Sequence, residues 1–556
     1  MNDAAAFLEA RDFLLENRSN YDRAYKNFRW PKLDNFNWAL DYFDVLAANN
    51  TQLALIVTSQ DSPDQSLSFS DLSQRSNQVS NFFERLGLSR GDRVLVMLGN
   101  EIALWETLLA ALKIGAVLVP TSAAISVDEL KDRLERGEVR HIVTNYTCKD
   151  KFRSFADSCT RILTGGKANG WIEYEEAYRE ANSFTRTSAT GSHDPLLLYF
   201  TSGTTAKPKL VLHSQHSYPV GHLSTMYWIG ITPGDLHWNI SSPGWAKHAW
   251  SSVFAPWNAG ACVLASNDTR FRATAALETL VRTGITTLCA PPTAWRMLIK
   301  EDLRKYPVKL REAVSAGEPL NPEVVRQVQD CWGITIRDGY GQTETTALVA
   351  NSPGQKIKPG SIGRPMPGYR IRILDSSSHD TTEGELNVDR ETSPVGLMLG
   401  YQGRDQTELA ARDYPTGDIA KVDDDGYIFF VGRADDVFKS SDYRISPFEL
   451  ESVAIEHPAV LEAAVVPSTD TVRFVIPKIF VALAPGYQPD DNTARDIFTF
   501  LRQKLAPYKR IRRLEFCDLP KTTSGKIRRA ELRQAERDRS SETTRRPFEF
   551  FDQDFQ

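Results

Sequence analysis

Two stretches of this chain repeat one pattern. From about Leu67 to Thr144, and again from Leu196 to about Leu348, helical periodicity alternates with short apolar strands. Arg93-Val-Leu-Val-Met-Leu98, Ala116-Val-Leu-Val-Pro120, Ala261-Cys-Val-Leu-Ala265 and Thr286-Thr-Leu-Cys-Ala290 are of that kind. Such alternation is the signature of an open α/β sheet, and its recurrence predicts two packed α/β subdomains. From about Gly360 to Val431 the character changes to strand and turn, with Tyr369-Arg-Ile-Arg-Ile-Leu374 and Gly426-Tyr-Ile-Phe-Phe-Val431 separated by Gly, Pro and Asp. A smaller β-rich subdomain is expected there. After Gly432 a charged turn, Arg433-Ala-Asp-Asp436, leads into a new pattern: helices near 447–455 and 493–505, strands near 463–466 and 478–483.

At 556 residues the chain exceeds one ordinary core. The expected division is a helical, aromatic N-terminal extension over 1–50, a large body over 51–432, a small α+β C-terminal domain over 433–540, and a tail over 541–556. The tail reads as a polar linker followed by Phe548, Phe550, Phe551 and Phe555, free to fray or to dock.

The formal net charge is −5 and the basic residues are dispersed, so the surface carries no polycationic signature for nucleic acid. The six cysteines, Cys148, Cys159, Cys262, Cys289, Cys331 and Cys517, show neither CxxC nor Cys/His spacing, which argues against a zinc site or a secreted disulfide framework. A reducing cytoplasm is the expected compartment. The most apolar stretch, near 108–118, is interrupted by Lys113 and ends at Pro120, so no membrane span is expected. An oligomer is compatible with all of this.

The segment Tyr199-Phe-Thr-Ser-Gly-Thr-Thr-Ala-Lys-Pro-Lys209 follows a short apolar strand with small hydroxyl residues, glycine and two lysines. Backbone N–H groups and hydroxyls of such a turn can face phosphate oxygens, and an ATP-using enzyme is the leading reading. It is neither the GxxxxGK[ST] loop nor the GxGxxG fingerprint, both absent from the sequence. Four further clusters accompany it: Ser315-Ala-Gly-Glu-Pro-Leu320, Asp338-Gly-Tyr-Gly-Gln-Thr-Glu-Thr345, Tyr414-Pro-Thr-Gly-Asp418 and Pro520-Lys-Thr-Thr-Ser-Gly-Lys526. The third joins a flat ring, hydroxyls and a carboxylate within eight positions, a set able to hold a base, a phosphate and a divalent ion. Taken alone, such strings are more commonly surface turns and solvated or capping carboxylates.

In this order and at these separations the five clusters resemble the adenylate-forming superfamily of acyl-CoA synthetases, aryl-CoA ligases, peptide-synthetase adenylation domains and luciferase. The resemblance covers about residues 35–535. Within it, Trp238-Asn-Ile-Ser-Ser-Pro-Gly-Trp-Ala-Lys247 and 439–451 look most like medium-chain and branched-chain acyl-CoA synthetases.

The resemblance implies ATP, Mg2+ and CoA as cofactors and a carboxylic acid as substrate. Thr201, Ser202, Gly203, Thr204, Thr205 and Lys209 hold the β and γ phosphates, and Glu344 with Thr204 holds magnesium. Gly317, Glu318, Pro319, Asp338, Gly339, Tyr340 and Gly341 surround the adenine, with Gln342 and Thr343 near the α-phosphate. Asp418 takes the ribose hydroxyls, Arg433 braces ribose or phosphate, and Arg444 belongs to the same binding set. Lys526, with Glu344, Thr343 and Lys209, carries catalysis by neutralising charge as carboxylate and α-phosphate meet. The resemblance also implies a mobile C-terminal domain that swings about Asp435 so that CoA's thiol can reach the acyl-adenylate. The segment 440–444 lines the pantetheine tunnel, and Arg473, Arg502, Lys504, Lys509 and Arg510 are candidates for CoA's 3′-phosphate.

Two departures from the family pattern stand out. Ala206 replaces the usual glycine of the phosphate loop, a small change of one methyl. Asp442 replaces a glycine of the tunnel, where a carboxylate can repel or orient the thiol. Gly341 stands where acetate-specific relatives carry tryptophan, so a longer acid is expected. Trp245, Ala246, His248 and Trp250 line that pocket, although both tryptophans read equally as core aromatics. His213, His216, Cys289 and His248 have ordinary structural readings. The expected substrate is a short to medium, branched or aromatic acid. The rival readings are transfer to a carrier-protein phosphopantetheine, and a nucleotide-binding protein without turnover.

Overall fold

A computed structural model describes residues 2–60, 62–155, 159–186, 189–201, 207–268, 270–318, 320–392, 394–403, 411–440, 443–470, 474–521, 526–539 and 545–555. By internal packing the chain divides into two units, one comprising 1–371 with 389–414, the other 372–388 with 415–556.

The first unit holds two large sheets. One runs in the order Arg364–Pro365, Ala347–Ala350, Ile336–Gly341, Glu312–Ala316, Thr287–Ala290, Leu236–Asn239, Cys262–Ser266, Leu53–Thr58 and Gln65–Ser68. It is parallel from Ile336–Gly341 to Leu53–Thr58 and antiparallel at both edges. The other runs Gly400–Tyr401, Lys209–Ser214, Pro195–Thr201, Val117–Pro120, Arg93–Met97, His141–Asn145, Thr160–Thr164 and Ile172–Glu173. These are the two α/β subdomains expected from the alternating pattern.

The most apolar stretch of the sequence is a core helix. Ile102–Ile114 is buried on every side after its first residue. Its two charged residues are both paired, Glu106 with Arg75 at 2.6 Å and Lys113 with Asp44 at 2.8 Å, which makes their burial tolerable. The helix ends at Gly115, whose φ of 82° provides the left-handed cap, and the chain turns directly into the strand Val117–Pro120. Among the described residues no helix is long and apolar enough to cross a membrane. The N-terminal extension is helical over Asp3–Glu16 and Tyr21–Asn27 and is pinned to the same unit, with Tyr21 donating to the Pro365 carbonyl and Trp30 to that of Gly368, both at 2.8 Å.

The second unit contains a four-stranded sheet of Ile371–Leu374, Glu383–Asp389, Asp413–Val422 and Ile428–Arg433, as the strand-and-turn composition predicts. Beyond it, a hairpin of Phe438–Ser440 and Tyr443–Ile445 precedes a second four-stranded sheet, Val460–Asp470, Phe474–Leu483, Arg513–Phe516 and Glu549–Phe551. Helices Pro447–Ile455 and Asp491–Lys504 cover it through a core that includes Leu450, Ile479, Phe498 and Leu514. The tail docks: its strand Glu549–Phe551 pairs antiparallel with Arg513–Phe516, and Phe550 enters the core. Beneath it the fully buried Lys478 ammonium meets Glu515, Glu536 and Glu549 at 2.7–2.9 Å, and Arg539 pairs with Glu549 at 2.7 Å.

Candidate active site

In the first unit the phosphate segment is bracketed by a strand pair, with Thr201 opposite Lys209. Ser202, Gly203, Thr204, Thr205 and Ala206 lie outside the described residues, as do Pro319, Asp442 and Arg473. The described residues on either side of this segment make definite contacts. Arg136 donates to the Pro208 carbonyl at 2.9 Å, and its guanidinium and that of Arg133 sit over the Phe200 ring. The Lys209 ammonium lies over the ring of Tyr401, 4.8 Å from its centroid. The same tyrosine, placed by a short strand beside Lys209–Ser214, donates its hydroxyl to Glu344 Oε1 at 2.9 Å. Lys209 and Glu344, distant in sequence, thus meet on one ring.

Tyr401 is absent from the residues that sequence reasoning singled out. Its signal is a bare Gly-Tyr pair after an apolar run, with nothing to mark it as part of the site. Oε1 of Glu344 being engaged by Tyr401, a divalent ion would be met by the second carboxylate oxygen. One carboxylate together with nucleotide phosphates is the usual way a protein holds Mg2+, so the residue present fits the ion.

The adenine candidates converge at the carboxyl ends of two neighbouring parallel strands, Glu312–Ala316 and Ile336–Gly341, with Ser315 opposite Asp338 and Ala316 opposite Gly339. Gly317 follows with φ 106°, a conformation glycine tolerates best. The Asp338 carboxylate accepts from the backbone N–H of Leu320 at 3.2 Å and of Gly339 at 3.0 Å. Asp338 is only half-buried, but protein atoms crowd its carboxyl and push it up to about 7, against those backbone bonds and the nearby Lys247 ammonium. Gly339 has to be glycine because a Cβ would enter the Trp228 indole.

His213 takes a structural place that nonetheless touches the site. Its Nε2 bonds the Thr343 carbonyl at 2.7 Å and its Nδ1 the Ser217 hydroxyl at 3.1 Å, so Nε2 carries the proton and holds the Gln342–Thr343 backbone. Burial pushes this imidazole down to about 4, and it stays neutral. His216 is pushed to about 4 as well, and His248, bonded to Asn100 Oδ1 at 2.9 Å, to about 3, in keeping with their ordinary structural reading. Beside Gly341 lies Trp250, with a ring atom 2.7 Å from where a Cβ would stand. A tryptophan at 341 has no room in this arrangement. Trp250 and His248 are buried; Trp245 and Ala246 are half-buried.

In the second unit, strand register sets Asp418 opposite Arg433, with Nη1 to Oδ1 at 3.4 Å, and Arg433 Nε lies 3.5 Å from Asp435. Asp418 is buried. The next residue of the charged turn, Asp436, is clasped by Arg529, at 3.0 Å, and by Arg533, both from the helix Arg529–Asp538. Arg444 is exposed, 3.9 Å from Glu383, and Lys526 is exposed just ahead of a bridge between Lys521 and Ile527. Of the cations considered for CoA, Arg502 is bonded to the buried Asp552 at 2.7 Å, and Lys509 to Glu449 at 2.5 Å. The tail therefore already uses Arg502.

With this geometry in view, comparison with known proteins is specific. Residues 45–402 match the AMP-binding enzyme family and 449–526 the AMP-binding enzyme C-terminal domain. The chain is 42% identical over 525 residues to 4-hydroxybutyrate–CoA ligase 1 of Metallosphaera sedula, covering 91% of this chain and 92% of that protein. It is 37% identical over 547 residues to the mitochondrial acyl-coenzyme A synthetase ACSM3 of Mus musculus, covering 94% of each. Among solved structures, the anthranilate CoA ligase AuaEII in complex with anthranoyl-AMP aligns with a TM-score of 0.82 at 26% identity, over 91% of this chain and 98% of that one. The Brucella canis acyl-CoA synthetase aligns with a TM-score of 0.71 at 33% identity, over 94% and 99%. The chain belongs to the AMP-binding enzyme family and carries both of that family's domains.

Proposed function

We propose that this enzyme is an AMP-forming acyl-CoA synthetase that activates a short to medium carboxylic acid. The observation that carries the reading is the meeting of Lys209 and Glu344 on Tyr401, in the same unit as the adenine candidates headed by Asp338. A carboxylate has a poor leaving group, and joining it to the α-phosphate of ATP replaces an oxide by AMP. One carboxylate oxygen attacks the α-phosphorus, pyrophosphate departs, and the thiolate of CoA then attacks the acyl carbon and expels AMP.

In this reading Thr201, Ser202, Gly203, Thr204, Thr205 and Lys209 hold the departing pyrophosphate, and Glu344 with Thr204 holds Mg2+, which screens phosphate charge when bound. Asp338 accepts from the adenine amino group and Tyr340 stacks on the base. Asp418, braced by Arg433, takes the ribose hydroxyls. Lys526 neutralises the carboxylate and α-phosphate as they meet. The C-terminal domain then swings about Asp435, while the clasp of Arg529 and Arg533 on Asp436 carries the chain beyond that residue as one piece. Lys509 is the better cation for the CoA phosphate, because its pair with Glu449 is at the surface, whereas Arg502 would have to give up a buried partner.

A relative named for 4-hydroxybutyrate and a neighbour solved with anthranoyl-AMP support a reading in which the acid is short and aliphatic or aromatic. All six cysteines are free thiols, which suits the cytoplasm we propose. Acid-dependent exchange of labelled pyrophosphate into ATP, scanned over aliphatic, branched and aromatic acids, tests the reading. Exchange with at least one acid is expected; none with any acid contradicts it.

A further inference from the structure

Lys526, which the proposed function sets between carboxylate and α-phosphate, comes just ahead of the helix Arg529–Asp538. Helix N-termini favour acids, yet this helix opens on Arg529. The partners of that arginine account for it. Its Nε and Nη2 donate to Glu451 at 2.8–3.2 Å and its Nη1 to Asp436 at 3.0 Å, so every guanidinium nitrogen is engaged. Glu451 is buried on the helix Pro447–Ile455, and its Oε1 also accepts from the Val465 N–H at 2.7 Å. One turn on, and so on the same helix face, Arg533 pairs with the Asp436 carboxylate and donates from Nη1 to the Asp435 carbonyl at 2.6 Å.

These contacts set where the chain can turn. The Ala434 N–H donates to the Gly417 carbonyl at 2.9 Å, which ties the chain before Asp435 to the strand Asp413–Val422. The next tied peptide is that of the Asp435 carbonyl, held by Arg533. Only the torsions of Ala434 and Asp435 lie between these two anchors. A rotation there breaks the turn's own bonds, from the Asp436 and Val437 N–H groups to the Arg433 carbonyl, both 3.0 Å. Lys526 is fastened through its neighbours as well: Ile527 bridges to Lys521, Lys521 pairs with Glu462 at 2.6 Å, and the Arg528 N–H donates to the Pro520 carbonyl at 2.8 Å. The hairpin expected to line the pantetheine tunnel has a separate anchor, the Ser440 hydroxyl on the Val475 carbonyl at 2.8 Å.

We infer, on the basis of that function, that Arg533 and Arg529 are positioning residues for adenylation, fastening Lys526 to the C-terminal side of the Asp435 hinge and confining the swing to the backbone of Ala434 and Asp435. They act through Lys526 without meeting the reacting groups. A lysine that neutralises two anions as they meet gains from such fixing, because a misplacement of about 1 Å costs on the order of a hundredfold in rate. Arg533 is the residue to test, because Arg529 also neutralises the buried Glu451, and its loss would leave that carboxylate without its cation.

Arg533→Met removes the clasp and keeps the stem of the side chain, and Asp436→Asn weakens it from the other side with both arginines in place. Each half-reaction is followed alone, as acid-dependent pyrophosphate exchange and as the reaction of preformed acyl-adenylate with CoA. Thermal melting checks the fold, and either variant suffices where the other does not fold. The kcat for exchange is expected to fall about ten- to hundredfold with KM for ATP and acid unchanged, while the reaction with CoA stays within about twofold. Arg533→Lys, which keeps a cation for Asp436, is expected to recover part of the loss. Exchange at the wild-type rate in a folded variant overturns the inference, as does an equal fall in both half-reactions, the mark of a merely structural role. Absence of exchange in the wild type with every acid overturns the proposed function, and the inference with it.

Discussion

Tyr401 Oη donates to Glu344 Oε1 over 2.9 Å while the same ring lies 4.8 Å from the Lys209 ammonium, so one tyrosine fixes both the carboxylate proposed for the metal and the cation proposed for the phosphates. Tyr401→Phe keeps the ring under Lys209 and removes the hydroxyl that donates to Glu344 and also meets Tyr414. A hydrogen bond to a charged group is worth about 1.5–3 kcal/mol, so kcat/KM for ATP should fall between about tenfold and hundredfold. The Mg2+ concentration for half-maximal exchange should rise in step. An unaltered Mg2+ titration would show that Tyr401 only packs.

Asp338 supplies a pH dependence with a definite sign. Burial raises its carboxyl to about 7 from an ordinary value of about 3.9, so the folded protein prefers the protonated form. Its contribution to stability is therefore full below about pH 4 and is lost as pH rises through 7. An adenine amino group donates to the ionised form, so nucleotide binding should release a proton near neutrality. AMP affinity measured calorimetrically should strengthen between pH 6 and 7 by up to about tenfold, with a heat that depends on the buffer. In Asp338→Asn both dependences should vanish, and their persistence there would assign them elsewhere.

Lys526 separates the two half-reactions. Lys526→Ala should abolish acid-dependent pyrophosphate exchange and leave the reaction of preformed acyl-adenylate with CoA largely intact. Equal loss of both would remove the assigned role.

The tail supplies a stability prediction. Lys478→Met leaves Glu515, Glu536 and Glu549 around a site without its central cation, and a loss of about 3–5 kcal/mol is expected. Burial alone would raise the Glu549 carboxyl, but Arg539 and Lys478 outweigh it and hold it at about 2. Its contribution is thus full above about pH 4.3 and lost as pH falls towards 2. The gap in melting temperature between wild type and Glu549→Gln should be widest at pH 7 and narrow at pH 3. A constant gap would mean that the charge is not what matters.

The alternating strands and helices made the two α/β sheets legible from sequence, because burial on both faces demands apolar runs that survive as a local pattern. The nucleotide candidates were legible as clusters because each is contiguous in the sequence. What escaped is what only tertiary contact creates. Tyr401 becomes part of the site by pairing its strand with Lys209–Ser214, and no local pattern marks it. His213 reads from sequence as an ordinary structural histidine, and only the fold shows its Nε2 on the Thr343 carbonyl. Arg502 looked available to a phosphate because its partner Asp552 lies 50 residues on, in a tail whose docking depends on a strand three residues long.

The central claim is that the acid's own oxygen is joined to the α-phosphate. The direct test is turnover of a carboxylic acid labelled with 18O in both carboxylate oxygens, followed by mass spectrometry of the nucleotide product. The expected result is AMP carrying one 18O in its phosphate, with the other oxygen retained in the thioester. Label in inorganic phosphate with ADP as the nucleotide, or AMP without label, would contradict it.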